Sequence, residues 1–216
     1  MKKLIQAIIV LSCAALSLQA MAEQARQLTW NDLVPADLVK EDPFAKLTPE
    51  QQNLLILAIH SAQQVSRNSQ QIDEGLVKEM VEAVPSLKKA GIDVDKILAK
   101  IKEIETSVVQ ELDGKRVRIA GYLLPLEVAG ANVTEFLLVP YVGACIHVPP
   151  PPPNQIVYVK VTKNAGYDGK GRFEPVWVTG VLSAKSMVKD LFLVDGSAGI
   201  DIGYSMQADR IEPYKE

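Results

Sequence analysis

The stretch "KRVRIAGYLLPLE", residues 115–127, marks the point at which the chain changes its hydrophobic period. Upstream of it, apolar residues recur about every 3.6 positions, as on one face of a helix. Within it, Val117, Ile119 and Leu123 alternate with residues of a different kind, and alternation with period 2 is typical of a half-buried β-strand. The sequence therefore predicts a helical half before this stretch and a strand-rich half after it.

Four more stretches downstream show the same strand pattern. They are residues 134–141, 155–162, 174–183 and 200–214. Gly121 and Gly180 lie inside two of the strands and indicate sharp bends of the sheet, while Gly203 indicates a β-bulge. Five short, strongly curved strands fit the five-stranded barrel of the OB-fold. We therefore predict an α+β fold in which residues 113–216 form an OB-like β-barrel domain.

A helical module of about three helices is predicted over residues 48–112. Thr48 begins the first helix, because a proline follows it and a glutamine at the third helical position completes a capping box. The second helix is predicted over residues 74–84 and is interrupted by Pro85, while Gly91 suits a C-terminal stop after Lys88 and Lys89. The third is predicted over residues 93–112, and its apolar stripe indicates a face packed on a core. A helix that docks a partner is the alternative.

The first 47 residues divide into a leader and an irregular segment. Residues 1–22 combine a basic start, a short apolar run and an Ala-Met-Ala site, which is typical of a signal peptide cleaved near Ala22. Export to the periplasm is therefore expected, with no transmembrane helix in the mature chain. A lipoprotein anchored at Cys13 is the alternative, although the Ala-Met-Ala site fits better. Residues 23–47 are interrupted by prolines, and Trp30 is predicted to anchor them across the body of the protein.

The charge of the chain limits the classes of partner. The sequence has 23 basic and 26 acidic residues. Because the leader contains two lysines and no acidic residue, the mature chain keeps 21 basic residues and carries a net charge of −5. Nucleic-acid binding needs clustered positive charge, so an acidic exported chain indicates no nucleic-acid partner.

The motif "YVGACIHVPPPPPNQ", residues 141–155, carries the candidate functional residues. Cys145 and His147 lie two positions apart, so in an extended strand their side chains share one face. They are candidate metal ligands, and zinc is the metal that this pair suggests. A zinc site needs three or four protein ligands, whereas the mature chain offers one cysteine and one further histidine, His60. A complete site would need His60, carboxylates or a second chain.

The same pair does not form a catalytic constellation. A nucleophilic cysteine needs a base within hydrogen-bond reach, but the β-carbons of residues i and i+2 in a strand lie roughly 6–7 Å apart. The sequence contains no phosphate loop, dinucleotide fingerprint or Gly-x-Ser-x-Gly motif. We therefore predict a protein without enzymatic activity. An enzyme would require Cys145 to be a thiolate at neutral pH.

Five prolines follow the Cys–His pair, and they cannot join a β-ladder because none has an N–H to donate. They predict a stiff polyproline II path about 15 Å long. Exposed proline rings are a typical contact surface for an aromatic-lined groove of a partner protein. Packing of the prolines on the protein's own barrel is the alternative. The predicted partner-binding residues are Pro149, Pro150, Pro151, Pro152, Pro153 and Asn154.

Three segments of the chain carry a resemblance to a known family. They are "LDGKRVRIAGYLLPLE" at residues 112–127, "GACIHVPPPPPNQ" at residues 143–155 and "YSMQADRIEPY" at residues 204–214. Together they resemble a bacterial family known as domain of unknown function 3299. The resemblance implies an exported protein or lipoprotein of a Gram-negative bacterium with no established activity.

The resemblance also implies a setting for the protein. Some family members are encoded beside the permease and ATPase of an ABC transporter and a periplasmic metal-binding protein, in zinc-linked clusters. This implies an accessory role in metal uptake, with an ABC transporter component or a periplasmic binding protein as the partner. Our first hypothesis is therefore a non-enzymatic accessory or adaptor protein of an envelope transport system. The second is a periplasmic metal-binding protein with Cys145 and His147 as ligands.

Overall fold

The computed structural model describes residues 24–40, 44–67, 74–142, 151–163, 165–169, 171, 173–193 and 196–215. They form three helices followed by a five-stranded mixed β-barrel with extra strands, which confirms the predicted α+β fold. The helices are α1 (Pro49–Arg67), α2 (Glu74–Lys89) and α3 (Val94–Thr106). The strands are β1 (Arg26–Leu28), β2 (Arg116–Ala129), β3 (Asn132–Val139), β4 (Val157–Val161), β5 (Tyr167–Asp168), β6 (Glu174–Ser183), β7 (Met187–Leu193), β8 (Gly196–Ile202) and β9 (Tyr204–Pro213).

The barrel closes through five of these strands. Strand β2 pairs with β3, β3 with β4, β4 with β9, β9 with β6, and β6 returns to β2. All of these pairings are antiparallel except β4 with β9, which is parallel. A mixed five-stranded barrel is the architecture of the OB-fold, so the prediction of an OB-like barrel is confirmed.

The alternation in β2 separates side chains that face the barrel interior from side chains that face outward, as the sequence predicts. Val117, Ile119 and Leu123 point into the barrel and are buried there with Phe136 and Tyr204. The β2 residues Tyr122, Leu124 and Leu126 alternate with the inward-facing ones. They face outward and pack in a second apolar cluster on the outside of the sheet. The barrel therefore has two apolar layers, one inside and one on part of its outer surface.

The irregular segment before the helices lies against the barrel. Strand β1 pairs in parallel with β2, and Leu28 and Leu33 are buried in the barrel core. The Trp30 indole packs against the same core, and its Nε1 donates a hydrogen bond to the Ala120 carbonyl at 2.8 Å. The predicted anchor at Trp30 is therefore confirmed.

Two glycines in the barrel strands have different roles. A β-carbon at Gly121 would lie 2.8 Å from the Trp30 ring, so glycine makes room for the indole. The pairing of β2 with β6 runs through Gly121 in unbroken register, and β2 begins to pair with β3 at the adjacent Tyr122. Between Thr179 and Gly180 the register of β6 against β9 shifts, and such a shift accompanies a bend of the strand, as the sequence predicts at Gly180.

The first helix begins where the sequence predicts, but the second helix is not interrupted where the sequence predicts. At Thr48 the capping box forms, with its N–H donating to Gln51 Oε1 at 2.9 Å and its hydroxyl accepting from Gln51 N–H at 3.3 Å. Helix α2 continues through Pro85 to Lys89, so the predicted break is wrong. Proline removes the hydrogen bond to the carbonyl of Val81, and both residues are exposed, so water can satisfy that carbonyl.

The apolar stripe of the third predicted helix serves two cores. Helix α3 ends at Thr106, whereas the stripe predicts a helix to Leu112. Val94 packs in the small core of the helices, but Val108 and Leu112 pack in the barrel core. The chain must leave helix α3 to make both contacts, which is why the helix is shorter than the apolar stripe in the sequence. Among the described residues, no helix is long and apolar enough to cross a membrane.

The last predicted strand, residues 200–214, is two strands that belong to different sheets. Strand β8 pairs with β7 in a separate hairpin, whereas β9 belongs to the barrel. The chain turns at Gly203, whose N–H donates to the Pro153 carbonyl at 2.7 Å. A β-carbon at Gly203 would lie 2.9 Å from the Asn154 Cα. Tight packing at Gly203 thus separates the strands, where the sequence indicates a bulge within one strand.

Candidate functional site

One end of the barrel gathers the features that the sequence singles out. Strands β3 and β6 both run antiparallel to β2, so they finish at the same end. The chain that carries the proline motif leaves β3 there, and the chain that forms the β7–β8 hairpin leaves β6 there. We call this region, which includes Tyr141, Val142, Asn154 and Gly203, the signature end.

Four of the predicted site residues lie outside the described part of the chain. They are Cys145, His147, Pro149 and Pro150. The metal site predicted for the first two is therefore still a prediction, as is zinc as its metal. Among the described residues, no group of three or more His, Cys, Asp or Glu side chains could hold a metal ion.

The described end of the proline run turns inward. Pro151 is buried, and Pro152 keeps an extended backbone with φ −52° and ψ 149°. Pro153 begins a short 3-10 helix, Pro153–Gln155, so the polyproline II path predicted for all five residues stops before it. Proline fits at the start of a helical turn because its missing N–H would have no partner there. The run therefore ends as a tight turn against the barrel.

Asn154 joins the barrel to the helical module. Its side chain is 1% exposed, and Nδ2 donates to the Ile104 carbonyl at 2.6 Å and to the Ser107 carbonyl at 3.0 Å. Both carbonyls lie at the C-terminal end of α3, where the last turn of a helix has no partners of its own. Asn154, which the sequence predicts to bind a partner, therefore makes its side-chain hydrogen bonds within the chain.

Two further side chains fix the signature end to the N-terminal segment. Gln155 Nε2 donates to the Trp30 carbonyl at 2.9 Å. The Tyr204 hydroxyl donates to the Leu33 carbonyl at 2.7 Å and accepts from the Val109 N–H at 2.6 Å. Burial raises the pKa of Tyr204, so the hydroxyl keeps the proton that it donates. The signature end is therefore a junction of the barrel, the helices and the N-terminal segment.

The signature end also presents apolar side chains to solvent. Tyr141 is 43% exposed and the adjacent Val142 is 60% exposed, just after β3. Val128, near the turn between β2 and β3, is 58% exposed at the opposite end of the barrel. An exposed aromatic residue followed in the chain by an exposed aliphatic residue supplies elements of a protein contact surface.

A charged cluster on the outer face of β3 was missed from the sequence. Glu135 is 8% exposed, and its carboxylate lies 3.3 Å from Lys160 Nζ and 3.3 Å from Lys189 Nζ. A hydrogen bond from the Tyr158 hydroxyl, followed by those of the two lysines, lowers the pKa of Glu135. The available signal was a carboxylate within the apolar run "TEFLLV", where burial demands a partner.

A stack of planar groups covers part of the β2–β6–β9 surface. The Arg118 guanidinium lies 4.2 Å from the Trp177 ring centroid, and Trp177 stacks on Tyr214 at 5.6 Å. Arg118 also pairs with Glu212 at 3.4 Å. Because these groups pack on one another, they stabilise the sheet surface and leave less of their planar area for a ligand.

The comparisons with known proteins agree with this fold. Residues 30–213 match the sequence model of the family described as "Protein of unknown function (DUF3299)". The chain is similar to the crystal structure of a DUF3299 family protein from Pseudomonas aeruginosa PAO1, with 34% sequence identity and a TM-score of 0.50. That match covers 89% of this chain and 97% of the other. No curated protein matches the chain.

Proposed function

Because this chain belongs to the DUF3299 family, whose description assigns no activity, we propose a function from its own surface: a non-enzymatic periplasmic adaptor protein. In this proposal the adaptor binds a partner protein at the signature end. The observation that carries the proposal is the exposed pair Tyr141 and Val142, placed beside a junction that fixes the local backbone.

The energetics of protein interfaces favour this arrangement. Binding free energy is concentrated in a few aromatic anchors with apolar neighbours, and tyrosine is one of the enriched residue types. A surface that is already ordered loses less conformational entropy when a partner binds. Hydrogen bonds of Asn154 and Gln155 order the chain where it returns to the barrel, and β3 orders the chain before Tyr141.

The partner and the compartment in this proposal come from the sequence. The predicted signal peptide supports export to the periplasm. The resemblance to zinc-linked family members supports an ABC transporter component or a periplasmic binding protein as the partner. The net negative charge of the mature chain is compatible with a protein partner and unfavourable for nucleic acid.

Affinity purification with matched variants tests whether the protein binds a transport component at the signature end. The mature protein and a Val128→Ser control should both recover a transporter component or a periplasmic binding protein. The double variant Tyr141→Ser, Val142→Ser should recover at least about tenfold less, as expected when an interface anchor is lost. Equal recovery by the double variant would contradict docking at the signature end. Failure of the unmodified protein to recover any transport component would contradict the adaptor itself.

The second candidate is a periplasmic metal-binding protein, favoured by a histidine two residues from the single cysteine of the mature chain. Calorimetric titration with zinc should then show about one ion per chain or per dimer. Binding should disappear in the double variant Cys145→Ala, His147→Ala, and the variant His60→Ala shows whether His60 is one of the further ligands that a complete site needs. No zinc uptake at micromolar concentration would exclude this candidate.

A further inference from the structure

The β7–β8 hairpin covers one outer face of the barrel. Met187, Ile200 and Ile202 of the hairpin belong to an apolar cluster shared with the outer side of the sheet. The buried barrel residues of that cluster are Leu124, Leu137, Val139 and Ile156. In OB-folds the face of the second and third barrel strands binds ligands, and in this chain those strands are β3 and β4. The hairpin therefore occupies the position of an OB ligand.

The hairpin is attached to this face by side chains. Strands β7 and β8 form their own two-stranded sheet, and in the described parts of both sheets no backbone pairing joins them to the barrel. A two-stranded hairpin alone is marginally stable in water, so its position depends on the packing beneath it. Such an element can leave the barrel while the closed ring of barrel strands stays intact.

One ion pair fixes the hairpin to the covered face. Lys189 pairs with Ile200 across the hairpin, so both lie on the side that faces the barrel. The Lys189 ammonium lies 3.3 Å from the Glu135 carboxylate, 3.5 Å from the Tyr158 hydroxyl and 4.8 Å from the centre of its ring. Glu135 keeps its ion pair with Lys160 at 3.3 Å when Lys189 leaves, so a displacing ligand that brings a cation to Glu135 restores the second of its two ion pairs.

We propose that the β7–β8 hairpin is a displaceable lid over the ligand face of the barrel, and that the ligand is an extended peptide segment of a partner protein. The segment carries a lysine or arginine between aliphatic residues. The aliphatic residues replace those of the hairpin over Leu137 and Ile156, and the cation replaces Lys189 at Glu135. Neither Tyr141 nor Val142 belongs to the apolar cluster under the hairpin, so the lid does not depend on the adaptor function proposed above.

A synthetic peptide of residues 185–203 tests the lid, because it supplies the chemistry of the hairpin in trans. The fluorescently labelled peptide should bind the full mature chain with Lys189→Ala about fivefold to tenfold more tightly than the unmodified chain. The same peptide with its lysine replaced by alanine should lose that gain. In the double variant Glu135→Gln, Lys189→Ala, the two peptides should bind equally. A gain that does not depend on the peptide lysine would overturn the proposal.

Hydrogen exchange gives an independent test in the full chain. If the hairpin is a lid, the amides of β7 and β8 exchange faster than those of β3 and β4. Lys189→Ala should then accelerate the hairpin amides about fivefold to tenfold and leave the amides of β3 and β4 unchanged. One common exchange rate for hairpin and barrel, shifted equally by Lys189→Ala, would show that the hairpin is a permanent cover.

Discussion

The barrel and the helical module differ in how their cores are built. The barrel core joins residues from the N-terminal segment to β9, with Leu28, Phe136 and Tyr204 in one cluster. The helical core is centred on Leu55, Leu87 and Val94 and joins neighbouring helices. A closed sheet with long-range contacts unfolds as one unit, whereas a small local core can open separately. The difference suggests two units of unequal stability that meet where Asn154 caps α3.

The largest expected effects come from opening a cavity in each core. Phe136→Ala should lower the free energy of unfolding of the barrel by about 3–5 kcal/mol, because it removes a fully buried ring. Trp30 packs on the barrel and Trp177 lies in β6, so tryptophan fluorescence during urea unfolding reports this change. The matched variant Leu87→Ala should cost the helical module about 2–5 kcal/mol. That loss should appear in the helical circular dichroism signal while the fluorescence midpoint stays in place. A common shift of both signals would mean that the chain is one cooperative unit.

The next effect concerns the joint between the two units. Asn154→Ala should cost about 1–3 kcal/mol, because it leaves the Ile104 and Ser107 carbonyls without their donor. We expect the helical transition to move to lower urea and to separate from the fluorescence transition. Gln155→Ala is the control, since Gln155 binds the Trp30 carbonyl and should affect the fluorescence transition alone. Unchanged transitions in Asn154→Ala would show that the hydrogen bonds of Asn154 do not couple the two units.

A smaller effect should depend on pH and belong to the barrel. The folded protein lowers the pKa of Glu135 below its ordinary value of 4.5. The stabilisation is therefore complete above that value and is lost as the pH falls through the lower folded pKa. The difference in unfolding free energy between the unmodified protein and Glu135→Gln should be constant at pH 5–7 and shrink below about pH 4.5. A difference that persists unchanged at pH 3 would contradict this role of the carboxylate.

The smallest effect should come from the surface of the helical module. Lys88 and Asp95 form an ion pair at 3.0 Å in which both side chains are exposed. Asp95→Asn should change the free energy of unfolding by about 0.5 kcal/mol or less, and 1 M salt should abolish the difference. Thermal unfolding at low and high salt measures it. A loss as large as that of Leu87→Ala would show that the small core is not what holds the helices together.

Much of the fold could be predicted because it follows from local patterns. The alternation around Val117 and Ile119 identified the first barrel strand, and the capping box at Thr48 identified the first helix. The errors arise where distant contacts decide. Leu112 leaves the helical pattern to enter the barrel core, and Gly203 divides a continuous strand pattern because it packs on Asn154. Such contacts between residues far apart in the sequence have no local signature.

Sequence reasoning about the candidate site was wrong for one described residue. Asn154, predicted to bind a partner, makes its hydrogen bonds inside the chain rather than on the surface. The cluster of Glu135, Tyr158 and Lys189 was invisible, because it forms only when β3, β4 and β7 come together. Cys145 and His147 keep their status as predictions from the sequence, since they lie outside the described residues.

Site-specific photo-crosslinking in living cells tests most directly whether the signature end is the docking surface. A photoreactive phenylalanine analogue is placed at Val142, which is 60% exposed, or at Val128, which is 58% exposed at the opposite end of the barrel. Similar exposure and identical native side chains make the two positions a matched pair. We expect a covalent adduct with one envelope protein from position 142 and none from position 128. No adduct from position 142, or the same adducts from both positions, would contradict the account.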